Sequence, residues 1–313
     1  MKELKILAVV VFFTLVTYYL VEPFAHSQMH KHIESEGFAY EDLPALTKQG
    51  DVARGQELVI GGAGCTGCHS IEAAGIPAPM DAVTAAQSYG VNPPDLSNAG
   101  AVYDAKFLAA LIQNPAHALM VEHKFDESKG QMHPMVPFYG AGGDLEQEVA
   151  DMVAYLESIA VKKEELTSKQ AYELACGRCH ANHYAGWTQL GQTPAFKKEQ
   201  DELAYKMQVL DYQESLKTYM GKLPPDLSIY IRSRGAHYIE TFVENPQNYL
   251  KGTAMPRVGV NEHAMEKVIE YLEDSGDAKR HERESVGMNV MIFIVIFAIF
   301  AILWKKQIWR DLH

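Results

Sequence analysis

All four cysteines of the 313-residue chain fall into two copies of one short pattern, Cys65-Thr-Gly-Cys68-His69 and Cys176-Gly-Arg-Cys179-His180. Cys-x-x-Cys-His is the attachment signature of a c-type haem. The spacing lets two thiols reach the two vinyl groups on one porphyrin edge, while the next residue presents an imidazole to the iron. Cys65, Cys68, Cys176 and Cys179 are therefore the expected thioether anchors of two covalently bound haem c groups. His69 and His180 are the expected first axial ligands. Zinc ribbons also pair Cys-x-x-Cys, but they do not require a histidine after each pair. A thioredoxin-type dithiol would follow a strand, whereas the lead-ins 52–60 and 169–175 read as helical.

The elements that position these residues repeat as well. Pro93-Pro94-Asp95-Leu96-Ser97 recurs 131 positions later as Pro224-Pro225-Asp226-Leu227-Ser228. At the same offset, Phe107-Leu108 and Ile112-Gln113-Asn114-Pro115 recur as Tyr238-Ile239 and Val243-Glu244-Asn245-Pro246. Tyr155-Leu156 recurs as Tyr271-Leu272, 116 positions on. The order holds while the offset changes, as in two units of one design with different loop insertions. Each unit closes on an amphipathic helix. The first has Asp144 as N-cap and Gln147 at the capping-box position, then Val149, Met152, Val153 and Leu156 on one face. The second has Asn261 as N-cap, then Met265, Val268, Ile269 and Leu272.

Helix, haem motif, Pro-rich loop, methionine and closing helix is the order of a class I cytochrome c domain, which both halves resemble. The expected fold is all-α, with two such domains in tandem at 26–162 and 163–277. Their junction lies near 161–168, where Lys162, Lys163, Glu164 and Glu165 interrupt the apolar pattern. The second unit is longer between its haem motif and its Pro-Pro loop. The surplus, roughly 196–220, reads as a helix with Leu203, Met207 and Leu210 on one side. It is expected to pack on its own domain, with a partner-docking surface as the alternative.

In cytochrome c domains the sixth ligand is usually methionine, whose soft thioether favours Fe(II). Met255, in Thr253-Ala254-Met255-Pro256, follows Asn245-Pro246 and precedes the closing helix, so it is the candidate for the second haem. The equivalent window of the first half is Gln131-Met132-His133-Pro134-Met135-Val136-Pro137. Met135 matches best there, and Met132 and His133 are its rivals. His26, His30 and His32 read as polar side chains at a membrane interface, with a metal site as the alternative. His183 belongs to the loop behind the second motif; His117, His123, His237, His263 and His281 form no constellation.

Both ends are apolar. Residues 6–21 and 286–304 carry no charge, and nineteen residues span about 28 Å of helix against the ~30 Å hydrocarbon layer. The first segment, 1–25, reads as an uncleaved anchor with Lys2 and Lys5 snorkelling at its end. A cleaved signal peptide is the alternative, with Ala25 as a weak processing site. Lys2 and Lys5 place the N-terminus in the cytoplasm. Two spans then bring the C-terminal part, 278–313, back to the cytoplasm and leave the haem block on the periplasmic side of an inner membrane. The charge of −12 gives no basic footprint for nucleic acid.

The second half and the C-terminal anchor resemble the dihaem cytochrome c subunit that replaces cytochrome c1 in some bacterial bc-type quinol–cytochrome c reductases. The residues that carry this are Leu223-Pro-Pro-Asp-Leu-Ser228, Ala254-Met255-Pro256, and the tail Trp304-Lys-Lys306 to Trp309-Arg310. The resemblance implies cytochrome b and a Rieske iron–sulfur protein as partners, within a dimeric complex. It implies electron flow from the Rieske protein to the second haem, then to the first, then to a soluble cytochrome c or a terminal oxidase. On that account the chain is an electron-transfer subunit and not independently catalytic. A dihaem subunit of a cbb3-type oxidase, another membrane-tethered electron carrier and a dihaem peroxidase are the alternatives.

Overall fold

Most helices of the central block start where a short polar side chain accepts from the first free backbone amides. In the computed structural model, which describes residues 2–29 and 40–310, Asp51 caps Val52–Glu57 by accepting from the amides of Ala53 and Arg54. Thr167 caps Ser168–Ala175, and Gln170 reaches back to complete a capping box. Asn114 and Asn245 cap the single-turn helices Pro115–Ala118 and Pro246–Tyr249, each with proline in its first turn, where a missing N–H costs nothing. The closing helices run over Leu145–Ile159 and Glu262–Gly276 with Asp144 and Asn261 as N-caps. The Gln147 capping box does not form. Its amide is drawn instead to the Gln49 carbonyl and to Asp151, at 2.8 Å each, because the segment before Val52 passes alongside this helix.

The fold is helical, with one two-stranded hairpin, Trp187–Thr188 with Gly191–Gln192, among the described residues. Each lead-in helix packs across a closing helix, Val52–Glu57 on Leu145–Ile159 and Ser168–Ala175 on Glu262–Gly276. The predicted stripes Val149, Met152, Val153, Leu156 and Met265, Val268, Ile269, Leu272 are buried. The first crossing is close enough that a Cβ on Gly55 would fall 1.9 Å from the Asp151 carbonyl oxygen. Ala171, fully buried, stands 116 positions later, the offset that also relates the N-caps Asp51 and Thr167.

The halves share one core. Backbone hydrogen bonds join Asp104 to Gly259, Asn261 to Val102 and Arg257 to Leu119, and the Tyr103 hydroxyl donates to the Leu174 carbonyl at 2.9 Å. Such bonds remove polar groups from an apolar seam that would otherwise leave them unpaired.

The inserted helix, Glu199–Met220, departs from expectation. It touches its own half, through Tyr205 to Thr188 at 2.7 Å and Gln213 to Gln189 at 3.1 Å, but it also lies on Ala82–Tyr89 of the first half. Tyr212, Leu216 and Met220 are the buried side chains, while Leu203, Met207 and Leu210 are exposed. The stripe at 212, 216 and 220 packs with Ala86, flanked by Ala82, Val91, Cys179 and Leu190, and next to it Tyr219 closes on Gly90. That residue has a φ of +86°, and a Cβ there would sit 2.4 Å from the Cβ of Tyr219.

At the ends, the stretches Lys2–Ala25 and Ser285–Arg310 have mean hydropathies of 2.2 and 2.8 with no part buried against the protein. Both are long and apolar enough to cross a bilayer. The first includes a π-helical turn at Thr17–Val21. The second belongs to a helix, Arg280–Arg310, which Arg283 fastens to the preceding unit by two bonds to Asp277 at 2.5 and 2.7 Å. His30 and His32 lie outside the described residues, and so does the His26 side chain, so the suggested cluster there lies outside what the structure describes.

Candidate cofactor sites

His69 follows the short turn Cys65–Gly67, and its Nδ1 lies 2.8 Å from the Pro94 carbonyl oxygen. His180 stands in the same relation to Pro225, again at 2.8 Å. A carbonyl only accepts, so Nδ1 carries the hydrogen and Nε2 keeps its lone pair for a metal. Burial pushes both imidazoles down in pKa, which keeps them neutral, as ligation requires.

The Pro-Pro-Asp-Leu-Ser loops that carry these carbonyls are fixed by matching bonds. Asp95 accepts from the Ser97 amide at 2.8 Å and from the Glu72 amide at 3.0 Å. Asp226 accepts from Ser228 and His183, both at 3.0 Å. The Ser97 hydroxyl accepts from Ala73 at 2.9 Å, and Ser228 from Tyr184 at 3.1 Å. The amides of Leu96 and Leu227 donate to Ser70 and Ala181, just behind each histidine. What reads in sequence as a repeated word is thus a clamp between a proline loop and a histidine loop. Burial alone would push the Asp95 carboxyl up. Hydrogen bonds from Ser97, Glu72 and Ser70 outweigh it and hold the group below the usual carboxylate range.

The cysteines are unpaired thiols. Burial raises Cys65 and Cys179 and pushes Cys176 up to about 12, opposite to the lowered pKa of a reactive dithiol. Among the described residues no group of three or more His, Cys, Asp or Glu side chains converges as a metal cage, which a zinc ribbon would need.

Met135 and Met255 line the same cavity as His69 and His180. Met132 does not; it is 57% exposed. His133 lines the cavity too, but both its ring nitrogens are engaged. Nδ1 lies 3.1 Å from the Met135 amide, and Nε2 lies 3.0 Å from the Tyr219 hydroxyl on the inserted helix. Phe125 packs edge-on against the same ring. Behind Met135, the buried Glu148 gathers the loop by accepting from Ala141 and Gly143 at 2.6 and 2.8 Å. Gln247 does similar work beside Met255, donating to the Thr253 carbonyl at 2.6 Å. Of the remaining histidines, His117 pairs with Glu122 at 2.8 Å, His183 with Asp226 at 2.9 Å, and His263 meets the Lys163 carbonyl.

Both motifs open into one cavity of about 1060 Å³, at the top of the usual ~300–1,000 Å³ for a single small-molecule site. Its wall is largely apolar. Arg178, Lys222, Arg234, Lys251 and Arg257 are its charged residues, and no carboxylate among the described residues lines it. In a chain of net charge −12, that wall suits an apolar macrocycle bearing carboxylates. Arg257 is 1% exposed; it donates to the Ala118 carbonyl and to Asp42, and its remaining nitrogen is sealed without a partner. Sequence reading missed Arg178, Arg257, Tyr212 and Gln247. Their partners lie between 6 and 215 positions away, and Gln247 alone had a local signal, its place beside the repeated Asn-Pro.

Residues 52–160 match the cytochrome c family model. This stretch is a cytochrome c domain, and the family implies covalently bound haem c and electron transfer. No curated protein matches the chain. Among solved structures, a chain described as "Hyperthermophilic respiratory Complex III" is similar at 20% identity, with a TM-score of 0.38, over 47% of this chain and 75% of that one.

Proposed function

We propose that the chain is a membrane-anchored dihaem c-type cytochrome that relays single electrons from a Rieske iron–sulfur protein to a periplasmic cytochrome c or a terminal oxidase, within a bc1-type complex. The observation that supports this best is that both Cys-x-x-Cys-His motifs, each with its own proline carbonyl and methionine, line one cavity. Cys65, Cys68, His69 and Met135 would hold one haem c, and Cys176, Cys179, His180 and Met255 the other. When bound, each haem supplies a one-electron Fe(III)/Fe(II) couple.

The chain's own groups do the rest. The proline carbonyls orient the imidazoles and increase their basicity as ligands. The apolar wall excludes water, and Met135 and Met255 as ligands would favour the reduced iron. With a histidine and a methionine to hold each iron, the chain would carry electrons and leave substrate chemistry to other subunits, of which cytochrome b is one. Two anchoring helices and the basic residues Lys2 and Lys5 support a periplasmic haem block with both termini cytoplasmic, in a complex that is dimeric overall.

Extraction of the native membranes and capture of this chain tests the reading. The expected product contains b-type haem, a Rieske protein and two covalent haems per copy of the chain. Capture with copper-containing oxidase subunits, or peroxide turnover by the isolated chain, would overturn it.

A further inference from the structure

We infer that Arg178 is an electrostatic bridge between the two motifs, and that its charge sets the reduction potential of the haem held by the other one, at Cys65, Cys68 and His69. The inference rests on the two-haem reading above. Arg178 is the second of the two residues between the cysteines of the second motif, where thioether spacing makes no demand on its side chain. That side chain leaves its own half. Its NH1 donates to the Asn92 carbonyl oxygen at 3.0 Å. Asn92 leads directly into Pro93-Pro94, and the Pro94 carbonyl is the one that orients His69.

Tyr212 of the inserted helix closes the link. Its hydroxyl accepts from the Asn92 amide at 3.1 Å and donates to the Arg178 carbonyl at 2.9 Å. The Asn92 carbonyl is thus committed to the second motif directly, and its amide through Tyr212. This gives the inserted helix a role that its exposed apolar residues did not suggest: it pins the second haem loop onto the proline loop behind the first histidine.

The guanidinium lines the cavity. Its Nε is sealed from solvent and has no hydrogen-bond partner, the Tyr103 hydroxyl is beside it, and no lining carboxylate compensates it. Arginine stays charged under all such conditions. A fixed cation in a medium of low dielectric favours the less positive iron, so it raises the potential of a haem it faces. Its grip on Asn92 sets it two residues from the Pro94 carbonyl that orients His69, in the other half.

The test is a redox titration of the full-length, haem-loaded protein, followed by haem absorbance, in Arg178→Gln, Arg178→Met and Arg178→Lys. A Met135→His background, in which the first couple is displaced, assigns the couples. With the charge removed, the equilibrium constant for reducing the first haem is expected to fall at least tenfold, about 59 mV for a one-electron couple. Arg178→Lys keeps the charge and should remain within threefold of the wild type. If neither uncharged variant accumulates, Asn92→Asp sets a carboxylate on the residue that Arg178 grips and should lower the same constant at least threefold. A first couple that stays in place, or an equal shift in the Lys and Gln variants, overturns the inference alone. A wild-type chain with fewer than two covalent haems by mass overturns the reading beneath it as well.

Discussion

Replacing Gly55 by alanine adds a methyl group where none fits. The new Cβ would lie 1.9 Å from the Asp151 carbonyl oxygen and 2.9 Å from the Tyr155 Cβ. The nearer obstacle is backbone, so no rotamer change relieves it. Ordinary non-bonded contact is about 3.5 Å, so the lead-in and closing helices must part by roughly 1.5 Å at their crossing. Overpacking of this kind costs about 1–3 kcal/mol, and an immovable carbonyl places it at the upper end. Alanine's better helix propensity returns about 1 kcal/mol, which leaves a net loss of about 2 kcal/mol. At about 2–4 °C per kcal/mol for a block of this size, the midpoint should fall by about 4–8 °C. Calorimetry of the detergent-solubilised holoprotein at a fixed scan rate measures it. Ala171→Gly, at the buried position of the second lead-in helix that matches Gly55 in sequence offset, is the internal control; it should lose only about 1 kcal/mol of propensity plus a small packing term. An unchanged midpoint in Gly55→Ala would refute the close crossing.

Three further outcomes are expected. Serine at both Cys65 and Cys68 should leave one covalent haem per chain by mass, and the same change at Cys176 and Cys179 should leave the other; loss of both haems from either variant would contradict separate attachment. Met135→His and Met255→His should each lower one reduction potential and spare the other, while Met132→Leu should move neither in a redox titration. Asp95 is held below its ordinary pKa, so its contribution is present above the unfolded value of about 3.9 and is lost as pH falls through the lower folded value. Asp95→Asn should therefore be less stable at neutral pH and show a shallower loss of stability below about pH 4 in denaturant titrations, and parallel curves would show that the clamp is not electrostatic.

Much of this molecule is local in origin and could be read along the chain. The two cysteine–histidine words, the proline loops, the caps at Asp144 and Asn261, the buried stripes and the apolar ends each depend on residues within a turn or two of one another. Short-range geometry and hydrophobic periodicity are sufficient for such features. The choice among Met135, Met132 and His133 was not legible, because the three lie in one short loop. In the fold Met132 is exposed, and His133 meets Tyr219 from 86 positions away. The inserted helix was legible as a helix but not as a clasp on the opposite half, since its buried face is met by Ala86, Ala82 and Val91 of that half, more than 120 positions away. The tertiary fold alone brought Arg178 to Asn92, and Arg257 to Asp42 and Ala118. Ionic and hydrogen-bonding groups are matched across a seam between distant segments, and nothing in the spacing of a linear pattern records which segments will meet.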